Sequence, residues 1–327
     1  VRIAVIGAGQ FGRRHIATIE ANPDCELAGV ADPGYSGEGA FSDYRRMLDE
    51  AKPDAVVIAT PNALHAPIGL ECVARRVPML VEKPIADTLA AARALVSAAE
   101  AARVPLLVGH HRRHNPLVEK ARELVQGGSL GRLTAVAALW LLQKPPEYYD
   151  VAWRREPGGG PLLINCIHDL DDLRFICGEI EEVRALVSNA TRGFAVEDAA
   201  AIALRFASGA LGTITLSDAA AAPWAWELTS GEYDFYPREK ENCYYFAGTE
   251  ASLGFPRMEL WRYPGKRGWY APLARESVAV APGDSQARQL AHFCRVIRGE
   301  EPPRSSGRDA ARTLALIEAI AANWRGC

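Results

Sequence analysis

Apolar positions follow two rhythms along this chain. In the first third, short unbroken apolar runs alternate with stretches of helical period. VRIAVI (1–6) reads as a strand buried on both faces, and CELAGVAD (25–32), DAVVIATPN (54–62), VPMLVEKPIA (77–86) and VPLLVGHHRRHNP (104–116) read as further strands. The segment behind residue 9, ALHAPIGLECVARR (63–76) and TLAAARALVSAAEAA (88–102) read as helices between them. Strands alternating with helices predict a parallel sheet covered on both sides. Beyond residue 116 the rhythm changes. After the helix LVEKARELVQGG (117–128), apolar and polar residues alternate in LTAVAALWLL (133–142), EEVRALVSN (181–189), DAAAIALRF (198–206) and ALGTITLSD (210–218), with further strand-like runs at AWELTSG (225–231) and CYYFAG (243–248). Alternation of period two fits a sheet with one face on a core. EYDFYPREKEN (232–242) and YPGKRGWYAP (263–272) read as loops. The expected class is α/β: a doubly wound parallel-sheet domain over 1–116 and a second α/β domain over 117–327.

One segment breaks the first rhythm. DPGYSGEGAF (32–41) is too short and too rich in glycine to hold the crossover helix that a doubly wound fold places there.

The first strand runs into Gly7, Gly9 and Gly12, with Gln10 and Phe11 between them, and a helix follows. Glycines at this spacing permit a tight turn and close approach of backbone to a pyrophosphate, which meets the positive end of the helix. Asp32 ends the second strand twenty positions after Gly12, where a carboxylate takes the ribose hydroxyls of a dinucleotide. An acid there repels a 2′-phosphate, which favours NAD; a neighbouring arginine can restore NADP. Ligands of such sheets bind at the carboxyl ends of the strands. Those ends carry Thr60, Pro61, Asn62, Glu82, Lys83 and the run His110–Arg113. Arg112 is the expected site contact of that run and Arg113 an ion-pair residue at the surface or between domains.

The stretch GGGPLLINCIHDLDDLRF (158–175) reads as a glycine loop feeding a helix, with Pro161 suited to its first position and His168 inside an apolar stripe. By itself such a histidine is more often a core residue than a proton carrier.

Taken in order, GxGxxG, ATPNALH (59–65), VEKPIA (81–86), VGHHRRHNP (108–116), WRREPGGGPLLINCIHDLD (153–171), AGTEASL (247–253) and SSGRDA (305–310) resemble the Gfo/Idh/MocA family of NAD(P)-dependent oxidoreductases, which includes inositol dehydrogenase and glucose–fructose oxidoreductase. The resemblance covers nearly the whole chain. It implies a Rossmann domain followed by a domain built on a large open, mostly antiparallel sheet, with sheet-to-sheet homodimers or homotetramers. It implies that Lys83 lies beside the nicotinamide and handles the proton of a substrate hydroxyl, with Glu82 behind it, contacting the cofactor, and Pro84 in a cis peptide. His65 flanks the cofactor. His168, eight residues after Gly160, takes the place of the family's catalytic histidine. Trp153 and Arg154 cover the nicotinamide end, where Arg154 can clamp a carboxylate or hydroxyls of the substrate.

The chain departs from the pattern at one position. Many sugar and inositol members carry Asp one helical turn before the histidine; here that residue is Ile164, with Asn165 next. Asn165 can bind a substrate oxygen but cannot titrate. Asp169, Asp171 and Asp172 follow His168. Asp172 could orient it, with a solvated face or a salt bridge to Arg174 as the plainer reading.

Composition narrows the rest. The chain has 327 residues, 49% hydrophobic and 24% charged, with net charge −3, so neither nucleic acid nor a membrane surface is an expected partner. Its seven cysteines, Cys327 included, are scattered without a CxxC pair, which fits a reducing, cytoplasmic setting and no metal site. No apolar run is long enough to span a membrane, and no signal peptide shows. The expected activity is hydride transfer between the nicotinamide and a secondary alcohol of a sugar, polyol or hydroxylated ring. Two alternatives stay open: a dinucleotide-bound sensor without turnover, and a dihydrodiol-type dehydrogenase using the aromatic residues Trp224, Trp226, Tyr233, Phe235 and Tyr236.

Overall fold

Each apolar run of the first third becomes a strand. In the computed structural model, which describes residues 1–324, β1 (Arg2–Ile6), β2 (Glu26–Ala31), β3 (Ala40–Phe41), β4 (Ala55–Ile58), β5 (Met79–Val81) and β6 (Leu106–Val108) form one sheet in the order β3-β2-β1-β4-β5-β6. All five pairings are parallel. The central strands are buried on both faces, as their unbroken apolar sequences require. Helices α1 (Gln10–Glu20), α2 (Tyr44–Ala51), α3 (His65–Ala74) and α4 (Leu89–Ala102) connect them. Asp43 caps α2 by accepting from the Arg45 and Arg46 amides, and Thr88 caps α4. In α4 the buried residues Ala92, Leu95, Val96 and Ala99 recur at helical spacing.

The glycine-rich segment after Asp32 holds no helix. It leads straight into β3, where Val30 pairs with Ala40. Phe41 lies close over Gly29, where an added Cβ would come within 3.0 Å of its ring.

The chain divides into two compact units. The first is Val1–His114 together with Asp284–Ala315, so a single cut at residue 116 leaves out a late segment that returns to it. The reason is the helix Ser285–Ile297. Its Leu290, Phe293, Cys294 and Val296 share one core with Ile3, Val5, Ile16, Ile19 and Val30. Burying a ring such as Phe293 contributes about 2–3 kcal/mol. Val108 N also donates to Ser305 O at 2.9 Å. Arg113 is a buried residue of this unit: it pairs with Asp309 at 2.5 Å and donates to Arg304 O, and it is not at the surface.

The second unit is built on nine strands. The path β15-β14-β13-β12-β7-β10-β9-β8 comprises β7 (Leu133–Gln143), β8 (Ile180–Ser188), β9 (Ala199–Phe206), β10 (Leu211–Ser217), β12 (Tyr244–Gly248), β13 (Ala251–Phe255), β14 (Glu259–Arg262) and β15 (Ala274–Ser277); β11 (Ala219–Trp224) pairs with the far end of β7. Only β7 and β10 run parallel. Helices α5 (Pro116–Gln126) and α6 (Ile167–Cys177) share the core of one face, with Val136, Ala138, Trp140, Ile202, Leu204, Ile214 and Leu216. AWELTSG is not a strand. Trp226–Thr229 forms a helical turn closed on the Ala225 carbonyl, and Trp226 is core, stacked on Phe255.

Candidate functional site

The first unit carries a dinucleotide cradle. Gly7 sits at φ +95°, a backbone that favours glycine, and a Cβ there would meet Ala59 O at 2.5 Å. A Cβ on Gly12 would stand 1.9 Å from Gly7 O. The turn is thus closed backbone on backbone. Gly9 faces open space, with nothing within 4 Å of where its Cβ would be. It precedes α1, whose start has no side-chain cap and no acidic residue in the first turn. Unpaired N–H groups and the positive helix end therefore suit a pyrophosphate. Gln10 and Phe11 open the helix and are exposed. Asp32 braces the turn: its carboxylate accepts from Ala8 N at 2.8 Å and Gly34 N at 2.7 Å. At the end of β4, the Thr60 hydroxyl is buried without a hydrogen bond. An orphaned hydroxyl and an uncapped helix start fit a polar ligand such as NAD. Pro61 is exposed and Asn62 half-buried, leading a short 3₁₀ turn.

His65 does something else. It is 1% exposed, with Nδ1 2.7 Å from Pro84 O and Nε2 2.8 Å from Thr60 O. No ring nitrogen is left for a cofactor; the ring ties the end of β4 to the loop after β5. Burial lowers its pKa.

Glu82 is also turned inward. One oxygen meets His15 Nε2 at 2.7 Å and the other accepts from Lys83 N at 3.2 Å. Burial alone would raise this carboxyl; the His15 hydrogen bond and charge, with His111 and Lys83, outweigh it and hold it at about 2. His15 lies on the same helical stripe as Gly12, Ile16 and Ile19, and a polar residue on a buried stripe was its signal in the sequence. Lys83 is half-buried and precedes a cis peptide at Pro84. Arg112 is 3% exposed in the 3₁₀ turn His111–His114. Burial foremost, with Arg304 next, pushes the neighbouring His114 down to about 2.

The second unit carries a separate polar cluster. The glycine loop leads into a π-helical stretch, Leu162–Cys166, and then α6. Such stretches often mark functional positions. Glu197 accepts from Leu162 N at 2.7 Å, and a Cβ on Gly160 would strike its carboxylate. Burial raises the Glu197 carboxyl. His168 is 7% exposed. The acids behind it are not solvated: Asp169, Asp171 and Asp172 are buried, and Asp169 accepts from the Tyr244 hydroxyl. Arg174 forks onto Glu179 at 2.9 Å.

Asn165 is half-buried and accepts from Lys144 Nζ at 2.8 Å. Lys144 also stands 3.5 Å from Asp218 and 4.6 Å from the Tyr148 ring centre. Asp218 takes the Tyr149 hydroxyl and Arg192 Nε. Burial lowers the Lys144 pKa, against the charge of Asp218. Arg154 lies 4.0 Å over the Tyr148 ring and donates to Tyr148 O, while Trp153 beside it is exposed. Lys144, Tyr149, Glu197 and Asp218 were not singled out in the sequence.

Among the described residues no group of three metal-ligating side chains occurs, and no helix is long and apolar enough to cross a membrane. Six cysteines are free thiols; Cys327 lies outside the described residues.

Residues 1–110 match a family model described as oxidoreductase family, NAD-binding Rossmann fold, and residues 118–253 match the GFO/IDH/MocA C-terminal domain. The chain is 30% identical to D-apiose dehydrogenase of Paraburkholderia graminis, covering 97% of this chain and 85% of that one. It is 26% identical to myo-inositol 2-dehydrogenase of Thermotoga maritima, over 97% and 94% of the two chains. Its fold matches the WlbA dehydrogenase of Bordetella pertussis, solved with NADH and UDP-GlcNAcA, with TM-score 0.78, 25% identity and coverage of 99% and 96%.

Proposed function

The chain belongs to the GFO/IDH/MocA oxidoreductase family, and from that premise we propose how its residues divide the work of an NAD-dependent dehydrogenase acting on a secondary alcohol of a sugar, polyol or hydroxylated ring. The observation that carries the reading is the glycine turn: it is closed on itself, ends at an uncapped helix start, and is braced by Asp32.

The backbone from Gly7 to Gly12, with Gln10 and Phe11, holds the pyrophosphate. Asp32 takes ribose hydroxyls, since each carboxylate oxygen has a lone pair beyond its backbone bond. Thr60, Pro61 and Asn62 line the strand end, with Arg112 and Glu82 behind. When bound, NAD accepts the hydride. Lys83 handles the hydroxyl proton and, protonated, stabilises the developing alkoxide. His168 is the second proton-handling residue. Trp153, Arg154 and Asn165 bind substrate. The test is NADH formation over a panel of sugars, polyols and dihydrodiols. Turnover of a sugar or polyol supports the reading. Tight NAD binding with no turnover anywhere would leave a sensor, and turnover of dihydrodiols alone a different substrate class.

The outer face of the second sheet supports a homodimer. Leu186, Leu211 and Tyr245 are 79%, 53% and 44% exposed, among the small exposed residues Ala135, Ala201 and Ala203. Exposed apolar residues on a sheet face suit a second copy. Light scattering is expected to give a dimer or tetramer, and Ala203→Arg a smaller species with unchanged melting temperature. A monomeric parent protein overturns this. The free thiols support a reducing compartment, the cytoplasm.

A further inference from the structure

Three strand ends of the second sheet bring charge to one place. Lys144 follows β7, Asp218 follows β10 and Asp198 precedes β9, and backbone bonds link them: Lys144 N to Asp218 O at 2.8 Å, Asp218 N to Asp198 O at 3.2 Å. All three are buried.

Apart from Asp198 Oδ1, which is buried without a hydrogen bond, the acceptors of this cluster already have donors. Asp218 holds Tyr149 and Arg192; Asp198 holds the Thr191 and Arg192 amides at 2.9 and 2.7 Å; Glu197 holds Leu162 N; Glu227 holds Trp140 Nε1 at 2.9 Å. Beside that one oxygen, what remains is a set of donors. Lys144 Nζ donates a hydrogen bond to Asn165 Oδ1. An ammonium cannot face an amide NH₂ group without repulsion, so this contact fixes the rotation of the amide and turns Nδ2 away from Lys144. Among the described residues Nδ2 has no acceptor. Among the described residues Arg154 has no carboxylate partner, and its Nε is buried without a hydrogen bond. Arg154 and Lys144 approach the same ring, Tyr148, at 4.0 and 4.6 Å. The loop that bears Arg154 packs on the glycines leading to Asn165, where a Cβ on Gly159 would lie 2.7 Å from Arg154 Cα. Meanwhile Ile164 offers no acceptor for a hydroxyl proton.

We propose that Asn165 Nδ2 and Arg154 form a carboxylate subsite, with Lys144 as the residue that positions Asn165, so that the substrate is a hydroxy acid: a polyol chain or ring bearing a carboxylate apart from the hydroxyl that is oxidised. A group with acceptors only matches donors only, and a guanidinium fork suits it best. A neutral polyol leaves these donors poorly matched.

This inference rests on the oxidoreductase reading, and its test separates the two. Turnover is measured on pairs differing in the acid alone: gluconate against sorbitol, glucuronate against glucose, quinate against its methyl ester. In parallel, the NAD-loaded protein is titrated calorimetrically with each compound. In at least one pair the acid is expected to be preferred by about tenfold or more in kcat/KM and in affinity. Arg154→Gln and Asn165→Asp are each expected to shrink that ratio, mainly through KM, and Lys144→Met to do so less than Asn165→Asp. Equal or better use of the neutral member in every pair overturns the proposal, as does an acid preference that survives both Arg154→Gln and Asn165→Asp. Preferential binding of the acid with no turnover keeps the subsite and removes the dehydrogenase. If neither member of any pair binds, the subsite is overturned, whatever else the enzyme oxidises.

Discussion

Lys83→Ala is expected to lower kcat/KM by about 10³-fold while the affinity for NAD changes by no more than about twofold. Removing a positioned proton carrier costs about 10²- to 10⁴-fold, and Lys83 also supplies positive charge for an alkoxide. The surrounding geometry favours the upper half of that range. The lysine is half-buried at a strand end, its amide is held by Glu82, and Glu82 is in turn held by His15. Lys83→Ala leaves both of those bonds in place, so the cradle stays intact. Steady-state kinetics with a titration of NAD fluorescence quenching check the split. A loss of turnover matched by a loss of NAD binding would make Lys83 a cofactor ligand and would return the proton to His168.

Gly12→Val is expected to abolish NAD binding, by more than about 100-fold, and to lower the melting temperature. The new Cβ would fall 1.9 Å from Gly7 O and 2.8 Å from Gly7 C, both backbone atoms. Neither can turn aside as a side chain can, so either α1 or the turn must move. Overpacking of this kind costs about 1–3 kcal/mol, or several degrees of melting temperature in a chain of this size. Binding suffers more than stability, because pyrophosphate recognition depends on backbone placement within about 0.5 Å. Gly9→Ala is the control: nothing lies within 4 Å of its Cβ, so stability is retained and any loss of affinity reports contact with the ligand itself. Unchanged NAD affinity in Gly12→Val would mean that the dinucleotide binds elsewhere.

The parallel sheet and its glycine turn were legible because each rests on local pattern: unbroken apolar runs, glycines at fixed spacing and an acid at a strand end. The polar cluster was harder, yet its signal is present. Val136, Ala138, Trp140 and Leu142 face the core, and Lys144 continues that parity. Ile214 and Leu216 do the same for Asp218, and Ala200 and Ile202 for Asp198. A charged residue at an inward position just past a strand must find partners, and three such strand ends that pair must find one another. What pattern alone could not supply was the pairing order that makes them neighbours. The reading of His65 as a cofactor contact met the same limit: a histidine near a site and one wedged between two carbonyls inside it look identical in sequence. The acids after His168 show the reverse. Runs of Asp suggest water, but α6 is buried nearly all round and draws Asp169 to a tyrosine hydroxyl.

The late return of Ser285–Ile297 to the first sheet bears on how the protein is made. Phe293 and Leu290 fill a core begun by Ile3 and Val5, so nearly three hundred residues separate its two halves. Contacts this distant in sequence close slowly. During synthesis the nucleotide-binding unit stands with one flank uncovered while the whole second sheet is translated. A fragment ending at His114 therefore exposes the apolar side of α1, and is expected to need chaperone cover or to aggregate. The glycine turn opens onto α1, so that side of its support is complete only once Ser285–Ile297 has been made.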